Sequence, residues 1–70
     1  MPKKPHNPHK VAVAEQRVGE LEAQLAELDR QLADPANYAD TQRMAEFGRD
    51  RDAVAARLAE AEQQWLELMG

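Results

Sequence analysis

Two heptad series that match each other in reverse order constrain the fold of this chain more than any other feature. The first comprises Val11, Ala14, Val18, Leu21, Leu25, Leu28 and Leu32, and the second comprises Met44, Phe47, Arg51, Val54, Leu58, Ala61, Trp65 and Leu68. Alternating steps of three and four place each series on one stripe of a helix. When Leu32 is aligned with Met44 and Val11 with Trp65, the residue numbers of every facing pair add to 75 or 76. A constant sum requires the chain to fold back on itself. The sequence therefore predicts an all-α, antiparallel two-helix coiled-coil hairpin.

Prolines and aspartates mark the ends of the two predicted helices. Asp34-Pro35 interrupts the first helical pattern, because proline disfavours helical geometry in the residue before it. Asp40 is placed to cap the second helix. A continuous helix through Pro35 would cost about 3 kcal/mol, so we predict a monomeric hairpin rather than a helix-swapped dimer. The predicted divisions are a disordered basic N-terminal tail over residues 1–9 and a hairpin over 10–70, with helices at about 10–33 and 41–69 and a corner at 34–40.

The residue types argue against catalysis and metal binding. The chain has no serine, no cysteine and a single threonine, and both histidines lie in the proline-rich tail. His6 and His9 have a spacing that suits a metal only on a helix, and Pro5 and Pro8 argue against one there. We predict no catalytic residue, no cofactor and no metal site. No apolar segment has the length of a membrane span or resembles a signal peptide, so we expect a cytoplasmic protein that does not contact a membrane.

Charge is distributed unevenly along the chain and across the hairpin. Residues 1–10 carry a charge of +3, whereas residues 11–70 hold six arginines against all thirteen acidic residues, a net charge of −7. In the antiparallel register two edges flank the seam. The basic edge comprises Lys10, Arg17, Gln24, Gln31, Arg43, Asp50, Arg57 and Gln64, and the acidic edge comprises Glu15, Glu22, Asp29, Gly48, Ala55 and Glu62. A basic stripe joined to a lysine-bearing tail can follow a phosphate backbone. The candidate phosphate-binding residues are Lys3, Lys4, Lys10, Arg17, Arg43, Arg51 and Arg57.

Each of these features also has a purely structural interpretation. Four arginines are followed three residues later by an acid, in the pairs Arg17–Glu20, Arg43–Glu46, Arg49–Asp52 and Arg57–Glu60, and such pairs are typical of an ordinary solvated helix surface. Arg51 lies on the seam, where it either offers a central cation to a phosphate or extends its guanidinium to solvent while its methylenes pack on Leu25 and Val54. Trp65 also lies on the seam, which favours core packing over base stacking.

The corner and the end of the chain resemble a known family. The segment Leu32-Ala33-Asp34-Pro35-Ala36-Asn37-Tyr38, the closing Trp65-Leu66-Glu67-Leu68, and Glu15-Gln16-Arg17 with Leu21-Glu22 are similar to the C-terminal domain of ABC-F proteins, over about residues 10–69. A weaker resemblance links Leu32-Ala33-Asp34-Pro35 and Asp40-Thr41-Gln42-Arg43 to the N-terminal helical domain of bacterial peptide-chain release factors.

The ABC-F resemblance implies a non-catalytic accessory hairpin detached from two ATP-binding cassettes. Members of that family are soluble ATPases that act on the ribosome in translation, and C-terminal hairpins of this kind are associated with DNA binding. Two hypotheses follow. The hairpin contacts DNA or ribosomal RNA through backbone phosphates without sequence specificity, or it is a spacer that docks on the parent cassettes, ribosomal proteins or another partner through Glu15, Glu22 and Glu62. The charge of −7 over residues 11–70 departs from what a DNA-binding hairpin requires.

Overall fold

The computed structural model describes residues 8–70, and these form two long helices joined by a short corner. Helix α1 spans Pro8–Ala33, a 3-10 turn spans Pro35–Asn37, and helix α2 spans Thr41–Met69. The two helices pack against each other along their length and no strand occurs among the described residues. At 1.5 Å per residue, the 29 residues of α2 extend for about 43 Å. The predicted all-α, antiparallel two-helix hairpin is confirmed.

The seam between the helices consists of the residues that the heptad pattern predicts. Every member of both heptad series is buried or half-buried. Leu21, Val54 and Ala61 are the most enclosed, with 6%, 6% and 3% of their surface exposed. Half-buried Val18, Leu25, Leu28 and Leu58 pack around them. The core is therefore a single line of small and branched aliphatic side chains, with each helix burying only one stripe.

Helix α1 begins at Pro8, two residues before the predicted start at about Lys10. A proline at the first helical position loses no hydrogen bond, because the N–H groups of the first turn have no partner within the helix, and its fixed φ suits a helix. Pro8 therefore starts the helix rather than delaying it, and His9 lies in the first turn. Of the predicted tail, residues 1–7 lie outside the described residues.

The corner is held by side chains that replace missing backbone partners. The Asp34 carboxylate accepts a hydrogen bond of 3.0 Å from the Ala36 N–H and so caps the 3-10 turn. Asn37 is buried, and its Nδ2 donates to the Gln31 carbonyl oxygen at 2.9 Å. The Tyr38 hydroxyl donates to the carbonyl oxygen of Ala33 at 3.1 Å, at the C-terminal end of α1. The chain reverses here without any residue with positive φ.

Asp40 caps α2 as predicted. Its Oδ1 accepts a hydrogen bond of 2.9 Å from the Arg43 N–H, and its own φ and ψ lie outside the helical region. This geometry satisfies one of the N–H groups that the first turn leaves without a partner. Helix α2 accordingly starts at Thr41, directly after this cap.

Replacing Gly48 with alanine is expected to stabilise the hairpin. Gly48 lies inside α2 with no positive φ, and a Cβ built there meets nothing within 4 Å. Alanine should raise the free energy of unfolding by about 1 kcal/mol, because glycine is the poorer helix former. A change of this size raises the melting temperature of a domain this small by about 4–8 °C, which circular dichroism can measure.

Gly19 provides an independent repeat of the same measurement. It lies inside α1, and a Cβ there also meets nothing within 4 Å. Gly19→Ala should give a similar increase, and the two increases should add because the positions share no partner. An unchanged or lower melting temperature for both variants would contradict the helical, unobstructed environment of the two glycines.

Candidate nucleic-acid interface

The basic edge is divided into three regions of different charge. The first lies in the middle of the hairpin, where a groove of about 580 Å³ runs between the helices. Gln24 of α1 and Arg57 of α2 both line it, so the structure brings these two predicted edge residues to one surface. Asp50 and Glu27 line the same groove. The middle of the basic edge therefore carries mixed charge.

The second region lies at the open end of the hairpin, where α1 begins and α2 ends. A groove of about 330 Å³ there is lined by His9, Lys10, Val13, Ala14, Arg17, Gln64 and Leu68. Lys10, Arg17 and Gln64 are members of the predicted basic edge, and the structure brings them together. No acidic residue lines this groove. We call it the open-end groove.

The third region lies at the corner, where Arg43 is surrounded by acids. A small groove there is lined by Asp40, Gln42, Arg43 and Glu46. The Arg43 Nε lies 3.9 Å from Oδ2 of Asp40, the residue that caps α2. The sequence spacing predicts a pair with Glu46, but the ion pair forms with Asp40 instead. A phosphate approaching Arg43 would meet two carboxylates beside a single guanidinium.

Arg51 is held by an acid from the opposite helix. Its Nε donates to the Asp29 Oδ1 at 2.6 Å, and both side chains are roughly half-exposed. This geometry agrees with the interpretation in which the guanidinium extends out of the seam, and it directs the charge to Asp29 of the acidic edge. Such a half-exposed pair stabilises a protein by at most about 1 kcal/mol.

Arg17 and Arg57 lack the ion-pair partners that the sequence spacing predicts. Among residues 8–70 neither guanidinium forms an ion pair, so the predicted pairs with Glu20 and Glu60 are absent. Glu20 instead accepts a hydrogen bond from Gln16 at 3.2 Å. Both arginines are exposed. In contrast, Arg30 forms an ion pair with Glu27, one turn earlier in α1.

Trp65 is part of the seam rather than of an exposed stacking surface. It is half-buried, and its Nε1 lies within 3.4 Å of Oε1 of Glu15, to which it donates a hydrogen bond. Glu15 belongs to the acidic edge, so the indole N–H is directed away from the basic edge. The interpretation of Trp65 as a packing residue is confirmed.

Some of the predicted binding residues lie near the start of the chain. Lys3, Lys4 and His6 lie outside the described residues, so their predicted roles stay predictions. Within residues 8–70, no group of three or more histidine, cysteine, aspartate or glutamate side chains is arranged to hold a metal ion. No helix in the same range is long and apolar enough to span a membrane.

Sequence reasoning missed the apolar part of the open-end groove. Val13 lies outside both heptad series, yet 52% of its surface is exposed and it lines the groove beside Arg17. The available signal was a valine at a helix position where the pattern requires a polar residue. His9 was missed for a different reason, since it had been assigned to the tail before α1.

Comparisons with known proteins identify a domain family. A family model described as "ABC transporter C-terminal domain" matches residues 8–69, nearly the whole chain. The match confirms the resemblance to the C-terminal domain of ABC-F proteins, which had been drawn from the corner and the closing segment. Searches of curated proteins and of solved structures found no match.

Proposed function

The chain belongs to the family of ABC transporter C-terminal domains, and from this premise we propose that it contacts nucleic acid through backbone phosphates, as an accessory hairpin of an ABC-F ATPase. The contacts are non-catalytic and do not depend on base sequence. DNA and ribosomal RNA share the phosphate chemistry that this surface recognises. The match concerns a C-terminal domain and includes no ATP-binding cassette, so ATP hydrolysis is assigned to the parent protein and not to this hairpin.

The observation that carries the proposal is the charge of the open-end groove. Lys10 and Arg17 line it with His9, and no acid does. Arg17 is exposed and forms no ion pair within residues 8–70. A guanidinium in this state binds phosphate oxygens without first breaking a protein ion pair.

A further feature of the sequence supports binding at this end. Lys3 and Lys4 precede α1 in the sequence and add two positive charges to this part of the chain. Phosphate contacts of this kind position a protein on nucleic acid and carry no sequence information. The expected footprint is therefore centred on the open end rather than spread along the entire basic edge.

A second function, docking to a protein, is favoured by the overall charge. Residues 11–70 have a net charge of −7, and Glu15, Glu22 and Glu62 lie on the acidic edge. A basic surface of the parent cassettes or of a ribosomal protein would complement this edge. The two functions predict opposite responses to substitution, since one depends on Arg17 and the other on the glutamates.

The proposal is tested by fluorescence anisotropy of labelled duplex DNA and of a ribosomal RNA fragment. We expect binding at low salt that weakens steeply as salt rises, because phosphate contacts release counterions. Arg17→Glu/Arg57→Glu should abolish it, and circular dichroism should show that the variant keeps its helices. Absence of binding to both probes at low salt would overturn the proposal and favour the docking function.

A further inference from the structure

The open-end groove combines cations with an aliphatic floor. Val13, Ala14 and Leu68 supply apolar surface between the two helices, and Lys10 and Arg17 lie beside it. The exposed fraction of Val13 is 52%, so its side chain is accessible to a ligand. The middle groove also has aliphatic side chains beside Arg57, but Glu27 and Asp50 line it as well. The corner groove has acids and no aliphatic side chain. Ala14 and Leu68 belong to the seam, so Val13 is the aliphatic residue of this groove that helix packing does not explain.

We propose that the open-end groove holds an unpaired nucleotide, so that the hairpin prefers single-stranded nucleic acid to duplex. This inference rests on the proposed function and names its substrate class. One face of the base lies against Val13 and Leu68, while Lys10 and Arg17 bind the flanking phosphates. The guanidinium plane of Arg17 can also stack on the base, since it forms no ion pair within residues 8–70.

The chemistry of the groove favours this ligand over a base-paired one. A duplex presents phosphates on its outside and keeps the faces of its bases stacked inside, so its contacts with the groove would leave the aliphatic floor unused. An unpaired nucleotide presents a planar apolar face next to an anionic backbone.

A substitution at Val13 tests the contribution of the aliphatic floor to binding separately from that of the charges. Val13→Gln removes an aliphatic contact without changing the charge, and glutamine is a better helix former than valine. Leu66→Gln is the matched control. It removes an aliphatic side chain from the same end of the hairpin. Leu66 is 60% exposed, as a surface control requires, and it does not line the groove.

The experiment measures the affinity of the full chain for three labelled probes at one salt concentration. The probes are oligothymidine, a strand of equal length made of abasic nucleotides, and a duplex. Val13→Gln should weaken oligothymidine binding by about three- to fivefold, a modest loss because the floor is aliphatic rather than aromatic. Its effect on the abasic strand and on the duplex should be less than twofold, and Leu66→Gln should change no affinity by more than that.

Several results would overturn the inference while leaving the proposed function intact. One is an equal effect of Val13→Gln on all three probes, or no effect on any of them, while the wild type binds all three. Another is displacement of the oligothymidine probe by polyglutamate, if Val13→Gln weakens the binding of polyglutamate as much as that of oligothymidine. This result would assign the groove to acidic peptides. A third is a concentration-dependent dimer in sedimentation that Val13→Gln disrupts without altering nucleic-acid binding. Failure of the wild type to bind any probe at low salt would instead overturn the proposed function itself.

Discussion

Leu21→Ala is expected to unfold most of the hairpin. Leu21 is 6% exposed and lies in the single line of core side chains with Val18, Leu25 and Val54. Truncating a buried leucine costs about 2–5 kcal/mol, because the lost contacts leave a cavity. The core of a domain this small rarely supplies more than about 3–5 kcal/mol in total. The substitution therefore removes most or all of the stability of the fold.

Circular dichroism during thermal unfolding measures this effect. We expect the variant to lose much of its helical signal at room temperature and to lack a cooperative transition, since isolated helices of this length are marginal in water. Leu66→Ala is the control, because 60% of Leu66 is exposed and surface substitutions usually change stability by less than about 0.5 kcal/mol. Equal melting temperatures for the two variants would contradict the assignment of Leu21 to the buried seam.

The seam was predictable from sequence because its burial pattern is periodic. A two-helix hairpin has only one interface, so the residues that repeat every three and four positions have one place to pack. Even Arg51 and Trp65, which depart from small aliphatic residues, occupy the predicted positions. The cap at Asp40 was predictable for a local reason, since its carboxylate acts on an N–H three residues away. Both predictions depend on spacing alone.

The contacts of long side chains were not predictable in the same way. The position of Arg51 allows a phosphate-binding and a packing interpretation, and neither includes Asp29. This residue is distant in sequence but adjacent across the seam, where it accepts a hydrogen bond from Arg51. The start of α1 was missed because Pro8 was treated as a helix breaker, although proline at a first helical position is favourable. Residues 1–7 lie outside the described residues, so Lys3 and Lys4 remain candidates from sequence.

The sequence predicts the overall charge of the basic edge but not how that charge varies along it. Heptad positions treat Arg17, Arg43 and Arg57 as equivalent, because all three have the same relation to the seam. The structure distinguishes them by their neighbours. Arg43 shares its surface with Asp40 and Glu46, and Arg57 shares its groove with Asp50, whereas Arg17 lies in a groove without acids. Which arginine is best placed to bind a phosphate therefore depends on the positions of neighbouring side chains, which the heptad spacing does not specify.

Arg17→Glu is expected to weaken nucleic-acid binding far more than Arg43→Glu, although both change the charge by the same amount. Arg17 presents an exposed guanidinium with no ion pair within residues 8–70, so its reversal removes a phosphate contact and adds repulsion in an acid-free groove. We expect a loss of about tenfold in affinity and a decrease of about one in the slope of log K against log salt. Arg43 already lies beside Asp40, so its reversal should cost less than about threefold.

Arg43→Glu is a suitable control because it should preserve the fold. Position 43 is the third residue of α2. A glutamate there interacts favourably with the helix dipole and can form a capping box with Asp40. Anisotropy titrations of one single-stranded probe between about 50 and 200 mM salt would give both affinities and slopes. Equal losses for the two variants would mean that net charge alone governs binding, and the footprint at the open end would then be wrong. A larger loss at Arg17, with equal helical content, would assign the contact to that groove, because the two variants differ only in where the charge is reversed.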